Sequence, residues 1–331
     1  MRKVLIIEII VFLLLIGLTV CALTGVFSRE EVPQETTAPT EETLPQFGYE
    51  LVVPPMAKAD WETFRGRELS CRGFFVYDCE DDKMLAQYGD GAKLYPASIT
   101  KLLTAYTALQ YLQADDKVVA GDALSLVAAD SSVAFIKWGD TLAVEQLVEA
   151  MLLPSGNDAA YITAAAAGRE IAGDSELSAR EAVDVFVKQM NTVAKNAGMT
   201  GSNFVNPDGY HNDNHYTCFR DLAILGELAM TSELIVKYAT LPEGNNPNFS
   251  QEQGIPQWEN TNFLIHPDND FYCAYAKGLK TGNTSLAGKC LLSAFNYEGR
   301  KIVIGVFGCP DYDDRFIDTL YIFSRVIGVI K

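Results

Sequence analysis

Strand-like runs at the two ends of the chain, with helical patterns between them, impose the strongest constraint on the fold. Gly73-Phe-Phe-Val-Tyr-Asp78 is aromatic and β-branched, which predicts a strand. Asp81-Asp82 predicts a turn, and Met84 to Tyr88 the returning strand. Runs of the same texture reappear only after Ala274, at 274–281, 289–295 and 301–307, the last two joined by a hairpin turn at Glu298-Gly299. Helical spacing fills the interval. It runs from Pro96 through Ile99, Leu102, Leu103, Ala105, Tyr106 and Leu109. It continues from Leu142 to Ala167 with a break at Pro154-Ser-Gly, from Arg180 to Ala197 up to Gly198, and from Phe219 to Thr231. Arg315 to Ile330 predicts a closing amphipathic helix. A sheet can then be assembled only from both chain ends, with a helical unit inserted. The expected class is α+β (α/β in the broad sense), with the helical subdomain at about 95–262 inside a folded part spanning 48–331.

With 331 residues and 48% hydrophobic side chains, the chain carries enough apolar material for a sizeable core. A formal charge of −17 excludes nucleic acid as a partner, since phosphate binding needs clustered Lys and Arg. It also disfavours anionic lipid surfaces. Seven cysteines are present, at 21, 71, 79, 218, 273, 290 and 309. The last six allow disulfide bridges in an exported domain. They equally suit free, buried, small apolar groups, and that reading is preferred. No CxxC or Cys/His spacing marks a zinc site, and no cofactor is expected.

Arg2 and Lys3 precede an apolar run from Val4 to Phe27, broken by Glu8 and a few small polar residues. A basic start before an apolar stretch is an export signal, and this one is long enough to span a bilayer. Residues 1–28 are expected to form an uncleaved anchor, with cleavage near Val20-Cys21-Ala22 as the alternative. Residues 29–47 are rich in Glu, Thr and Pro and poor in large apolar side chains, as in an extended tether.

Three short strings carry the chemistry. No serine other than Ser98 has a lysine three residues later, and Ser155-Gly-Asn157 and Lys280-Thr-Gly282 are each the sole instance of their pattern. Each alone suits a bland role: a solvated helix face, a helix N-cap, or a strand end. Together, in this order, they match the nucleophile, relay and anion-clamp set of penicillin-binding proteins and class A β-lactamases, and they imply acyl transfer to a serine. On one helix face, Ser98 and Lys101 lie about 5–6 Å apart at Cβ. A neutral Lys101 amine would remove the Ser98 proton, which requires its pKa to fall by about 3 units through burial and a second cation such as Lys280. The Ser98 backbone N–H at a helix start suits an oxyanion. Ser155 would pass a proton to the leaving amine, and Asn157 offers a donor and an acceptor to a substrate amide and to Lys101. Lys280 and Thr281 suit a carboxylate, and Gly282 lets a substrate backbone come close. The three histidines, His211, His215 and His266, carry no nucleophile-elbow partner. His211 and His215 have metal-like spacing without further ligands, so loop hydrogen bonding is the expected role.

Beyond the strings, the chain resembles the D-alanyl-D-alanine carboxypeptidases, the low-molecular-weight penicillin-binding proteins. The likeness is carried by Pro96-Ala-Ser-Ile-Thr-Lys-Leu-Leu-Thr-Ala105, Leu147 to Ala160, Met190-Asn191, Ala197-Gly-Met199, Asn206-Pro-Asp-Gly-Tyr210, His215-Tyr-Thr217 and Gly278-Leu-Lys-Thr-Gly282 with Ala287-Gly288. It covers most of the chain from Gly73 onward. The resemblance implies a β-lactamase/transpeptidase-like antiparallel sheet flanked by helices, with an inserted all-helical subdomain and a cleft between. It implies that Ser98 is acylated with Lys101 as its base, that Ser155 and Asn157 act as the second motif, and that Lys280 and Thr281 hold a terminal carboxylate. The backbone N–H of Asn283 would be the second oxyanion donor. The implied substrates are peptidoglycan stem peptides ending in D-Ala-D-Ala, with β-lactam antibiotics as covalent inhibitors, on the extracytoplasmic face of a bacterial membrane. Many members carry a further C-terminal β-rich domain and anchor helix. This chain ends after the last catalytic-domain helix, so its N-terminal segment is expected to anchor it. Asn283 stands where an aromatic residue or His is common. The rivals are a class A-like β-lactamase, for which no Glu-x-x-Leu-Asn string exists between Asn157 and Asn206, and a non-catalytic wall-binding protein of the same fold.

Overall fold

The computed structural model of the protein describes residues 69–327. The expected anchor and tether, and Cys21 with them, lie outside the described residues. Among the described residues, no helix is long and apolar enough to cross a membrane.

A five-stranded antiparallel sheet forms from both ends of the chain. Its strands are β1 (Gly73–Asp78), β2 (Lys83–Tyr88), β5 (Ala276–Thr284), β6 (Gly288–Tyr297) and β7 (Arg300–Cys309), in the order β2-β1-β7-β6-β5. Two short strands, β3 (Lys117–Val119) and β4 (Thr141–Ala143), make a separate ribbon. At three residues each they are too short to leave a period-2 signature. Glu298 and Gly299, both at positive φ, turn β6 into β7 as a two-residue hairpin loop.

Between β2 and β5 lie a 3₁₀ turn (Ala97–Ile99) and the helices α1 (Thr100–Ala108), α2 (Val144–Leu152), α3 (Asn157–Ala172), α4 (Ala179–Asn196), α5 (Phe219–Met230) and α6 (Glu233–Ala239). The last helix, α7 (Asp314–Val326), follows the sheet. Capping chemistry sets several ends. The Ser178 hydroxyl accepts from the Glu181 N–H while the Glu181 carboxylate accepts from the Ser178 N–H, opening α4.

The sheet is covered on both faces. Phe295 pairs with Ile302, and its ring stacks on Phe323 of α7 at 4.2 Å. Their neighbours Ala294 and Val303 point the other way, where Val303 lies against Gly226 of α5. That double burial explains why β6 and β7 read as nearly continuous apolar runs. Helices α1 and α3 are buried almost all round, so they lack the amphipathic pattern of a surface helix. Of the six described cysteines, Cys71, Cys273, Cys290 and Cys309 are buried, and all six are free thiols. Burial pushes Cys273 and Cys290 up to about 11, so they stay protonated and behave as small apolar groups.

Candidate active site

Ser98 lies in the 3₁₀ turn rather than in α1, and the chain enters that turn through Ala97 at φ +49°. Lys101 lies one turn on, inside α1. The spacing still brings the two together: Lys101 Nζ donates to Ser98 Oγ at 2.9 Å and to the Asp208 carbonyl at 2.8 Å. Lys101 has no solvent exposure. Burial lowers its ammonium to about 8, against the opposing pull of Asp208 and Asp158.

A polar stripe on an otherwise apolar helix explains how Asp208 arrives there. Thr100, Lys101 and Thr104 are all buried, and the segment around 204–217 lies over them. Thr104 Oγ1 donates to the Pro207 carbonyl at 2.6 Å. His215 Nδ1 accepts from the Val205 N–H at 3.2 Å, so its other nitrogen, Nε2, carries the proton and donates to Thr100 Oγ1 at 2.9 Å. Burial takes the His215 imidazole down to about 3, which keeps it neutral. Both ring nitrogens are engaged in the loop hydrogen bonding expected of it. Gly209, at φ +82°, lets this segment touch the turn that carries Ser98: a Cβ there would stand 1.8 Å from the Ala97 carbonyl oxygen.

The second string sits at the entry to α3. Ser155 adopts a left-handed conformation at φ +64°. Its hydroxyl makes no hydrogen bond among the described residues. Asn157 Nδ2 donates to the Asp208 carboxylate at 2.6 Å, while Asn157 Oδ1, the atom that could accept from Lys101, is buried without a partner among the described residues. The Asp208 carboxyl is itself raised by burial, and the Lys101 charge opposes that rise. Asp158, next along α3, accepts from the Ala134 and Ile136 N–H groups and fixes the loop above Ser98.

The third string was expected to end a strand, yet it lies inside β5. Pairing continues through Asn283 with Lys289 and Thr284 with Gly288. Lys280 is buried, and its Nζ donates to Thr281 Oγ1 and the Thr281 carbonyl, both at 3.3 Å, and to Thr261 Oγ1 at 3.4 Å. Burial first, then the Lys101 and Arg315 charges, holds the Lys280 ammonium well below the usual lysine range. The two threonine hydroxyls are 2.6 Å apart. The close neighbour of Gly282 is the start of the Ser98 turn: a Cβ would lie 3.0 Å from the Pro96 carbonyl oxygen and 3.1 Å from Ala97 Cβ.

Ser98, Asn157 and Asn283 line one cleft of about 410 Å³, together with Asp130 to Ser132, Asp208 to His211, Thr284 and Ser285. Ser155, Lys280 and Thr281 do not line it; they are buried, at 6%, 1% and 5% exposure. Thr261 had no motif to announce it. Asp208 sits inside Asn206-Pro-Asp-Gly-Tyr210, a string that carries part of the resemblance but reads locally as a turn, and its lysine partner is 107 residues away.

An antiparallel sheet with inserted helices, and a serine held by a buried lysine at the start of one of them, define the penicillin-binding protein/transpeptidase fold. The crystal structure of the Streptomyces K15 DD-transpeptidase matches it with a TM-score of 0.67 and 26% identity, over 79% of this chain and 98% of that one. Penicillin-binding protein D2 from Listeria monocytogenes in the ampicillin-bound form matches with a TM-score of 0.63 and 25% identity, over 78% and 97%. The sequence profile of the D-alanyl-D-alanine carboxypeptidases matches residues 60–310, and the chain belongs to that family. The Escherichia coli (strain K12) D-alanyl-D-alanine carboxypeptidase DacC is 30% identical over 274 residues, 80% of this chain. This chain spans 63% of that relative's length.

Proposed function

We propose that the protein is a serine-type D-Ala-D-Ala carboxypeptidase that removes the terminal D-alanine from peptidoglycan stem peptides through an acyl-enzyme on Ser98. The observation that carries this reading is the 2.9 Å contact between Ser98 Oγ and a Lys101 amine that is wholly buried and lowered to about 8. About a tenth of such an amine is neutral at pH 7, whereas an ordinary lysine would be neutral less than about once in a thousand.

In this reading the neutral Lys101 takes the Ser98 proton as Oγ attacks the penultimate carbonyl carbon. The oxyanion is held by the backbone N–H groups of Ser98 and Asn283. The proton passes from Lys101 through Ser155 to the departing nitrogen, the C–N bond breaks, and D-alanine leaves. Water then hydrolyses the ester. Asn157 Oδ1, unpartnered in the cleft wall, would accept the substrate amide N–H. Lys280 and Thr281 would hold the terminal carboxylate, whose charge restores the Lys280 proton, and Gly282 keeps β5 against the nucleophile turn. A β-lactam would acylate the same hydroxyl and stay. The N-terminal apolar run from Val4 to Phe27 behind Arg2 and Lys3 supports a place on the extracytoplasmic face of a bacterial membrane, anchored by that run.

The test is to incubate the protein with a stem pentapeptide and with labelled penicillin, then locate the modified residue by mass spectrometry. The expected results are D-alanine release, a long-lived adduct on Ser98, and loss of both in a folded Ser98→Ala variant. Labelling that persisted in the variant would remove Ser98 as the nucleophile. Rapid penicillin turnover would favour a β-lactamase, and stem-peptide binding without D-alanine release would favour a non-catalytic wall-binding protein.

A further inference from the structure

Thr261 belongs to none of the three strings, yet it bonds to one of them and to the approach of another. Its backbone N–H donates to the Leu153 carbonyl at 3.2 Å, just before Pro154-Ser155-Gly156. Its side chain turns to β5, where Oγ1 stands 2.6 Å from Thr281 Oγ1 and accepts from Lys280 Nζ at 3.4 Å. Two buried asparagines flank it. The Asn260 N–H donates to the Pro242 carbonyl at 2.8 Å, and its Nδ2 donates to the Leu241 carbonyl at 3.1 Å, just past α6. Asn262 Oδ1 accepts from the Leu264 N–H at 3.2 Å and caps the 3₁₀ turn that follows. Both neighbours are thus bound to backbone, and the hydroxyl between them has a fixed place.

The hydrogens around this contact can be counted. At 2.6 Å, one hydroxyl hydrogen lies between the two threonine oxygens. The Lys280 ammonium only donates, and it reaches both oxygens. Among the described residues, the one acceptor of the Thr261 hydroxyl is Thr281 Oγ1. If Thr261 donates, the Thr281 hydrogen is left free. If Thr281 donates, the Thr261 hydrogen is stranded, and Thr281 shows an incoming anion only its lone pairs.

We propose that Thr261 is a positioning residue for the anion receptor: it donates to Thr281 Oγ1 and accepts from Lys280 Nζ, so that the Thr281 O–H and the Lys280 ammonium are both aimed at the substrate's terminal carboxylate. This rests on the carboxypeptidase reading above. Lys280 makes no ion pair among the described residues, so hydrogen bonds alone set the direction of its head. A carboxylate binds by accepting charge-assisted hydrogen bonds, and a donor already turned towards it costs no reorganisation when it arrives. Thr261 acts through its two neighbours and does not itself meet the peptide.

The test measures D-alanine release by the full chain from a stem pentapeptide and from the same peptide with its terminal carboxylate amidated. Thr261→Val keeps the shape and removes the hydroxyl, whereas Thr261→Ser keeps the hydroxyl. The preference for the free carboxylate, as a ratio of kcat/KM, should fall about tenfold in Thr261→Val, through KM, and stay within about twofold of wild type in Thr261→Ser. Thr261→Ala should show the same split as the valine variant and replaces it if that variant does not fold. A loss that is equal for the two peptides would leave Thr261 a merely structural role and overturn the assignment. So would a serine variant as impaired as the valine one. Failure of the wild type to release D-alanine from either peptide overturns the carboxypeptidase reading and this assignment with it. Release without a preference for the free carboxylate leaves that reading standing and overturns the assignment.

Discussion

Lys101 at the head of α1 and Lys280 inside β5 are both buried and make no ion pair among the described residues, yet their surroundings differ. Lys101 donates to a serine hydroxyl and to the Asp208 carbonyl, with the carboxylates of Asp208 and Asp158 near enough to favour its charge. Those acids offset part of the burial and leave the amine near 8, within reach of the proton exchange that the proposed mechanism asks of it. Lys280 sees threonine hydroxyls, a carbonyl and two other cations. The charges that act on it, Lys101 and Arg315, both oppose its protonated form. In the proposed mechanism the same side chain would serve as a base in one region and as an anion receptor in the other, and the difference lies in its neighbours.

Arginine separates the two roles most sharply, because it keeps the charge but does not give up its proton. Lys101→Arg should cut penicillin acylation by about 10³-fold or more, while Lys280→Arg should stay within about tenfold of wild type. Stopped-flow acylation rates measure both, and equal losses would erase the distinction. Removing the cation instead, Lys280→Ala should lower kcat/KM by about 30- to 100-fold, carried by KM, for a peptide with a free terminal carboxylate. Amidating that carboxylate should cost the variant little more. An equal further loss in variant and wild type would place the anion contact elsewhere.

Asp208→Asn addresses the offset directly. It deletes a negative charge that favours the Lys101 ammonium, so the midpoint of the acylation pH profile should move below that of the wild type by about one unit. An upward shift would contradict the assigned sign. The smallest expected effect is at His215, a base in the Lys101 region that never charges. Its folded value of about 3 lies under the ordinary 6.5, so its contribution to stability is full above pH 6.5 and is lost as pH falls from 6.5 towards 3. His215→Gln should cost about 1–3 kcal/mol at pH 7 through the weakened Thr100 and Val205 contacts. It should also flatten the fall in urea midpoint between pH 6.5 and 5. An unflattened fall would mean that another group carries it.

What could be read beforehand divides by range. Strands at both ends, the hairpin at Glu298-Gly299 and the break at Pro154-Ser155-Gly156 are local signals, and the structure contains all of them. Ser98 and Lys101 are three residues apart, so their contact needed no tertiary knowledge, though the 3₁₀ entry at Ala97 was invisible to periodicity. Asn157 was expected to reach Lys101; instead its Nδ2 donates to Asp208, which the segment over α1 brings in from a distance that spacing could not reveal, and Lys101 donates to Ser98 and the Asp208 carbonyl. Thr261 reaches Thr281 and Lys280 from a loop with no pattern of its own. Lys280-Thr-Gly282 was placed at a strand end because the apolar run stops there, yet pairing with β6 carries the strand two residues past Gly282.

The claim that an unprotonated Lys101 activates Ser98 is met most directly by the rate of penicillin acylation as a function of pH. The rate should climb tenfold per pH unit through the acid side and level off near pH 8, with the plateau absent in Lys101→Arg. A rate that is flat from pH 6 to 10, or that falls across that range, would contradict it.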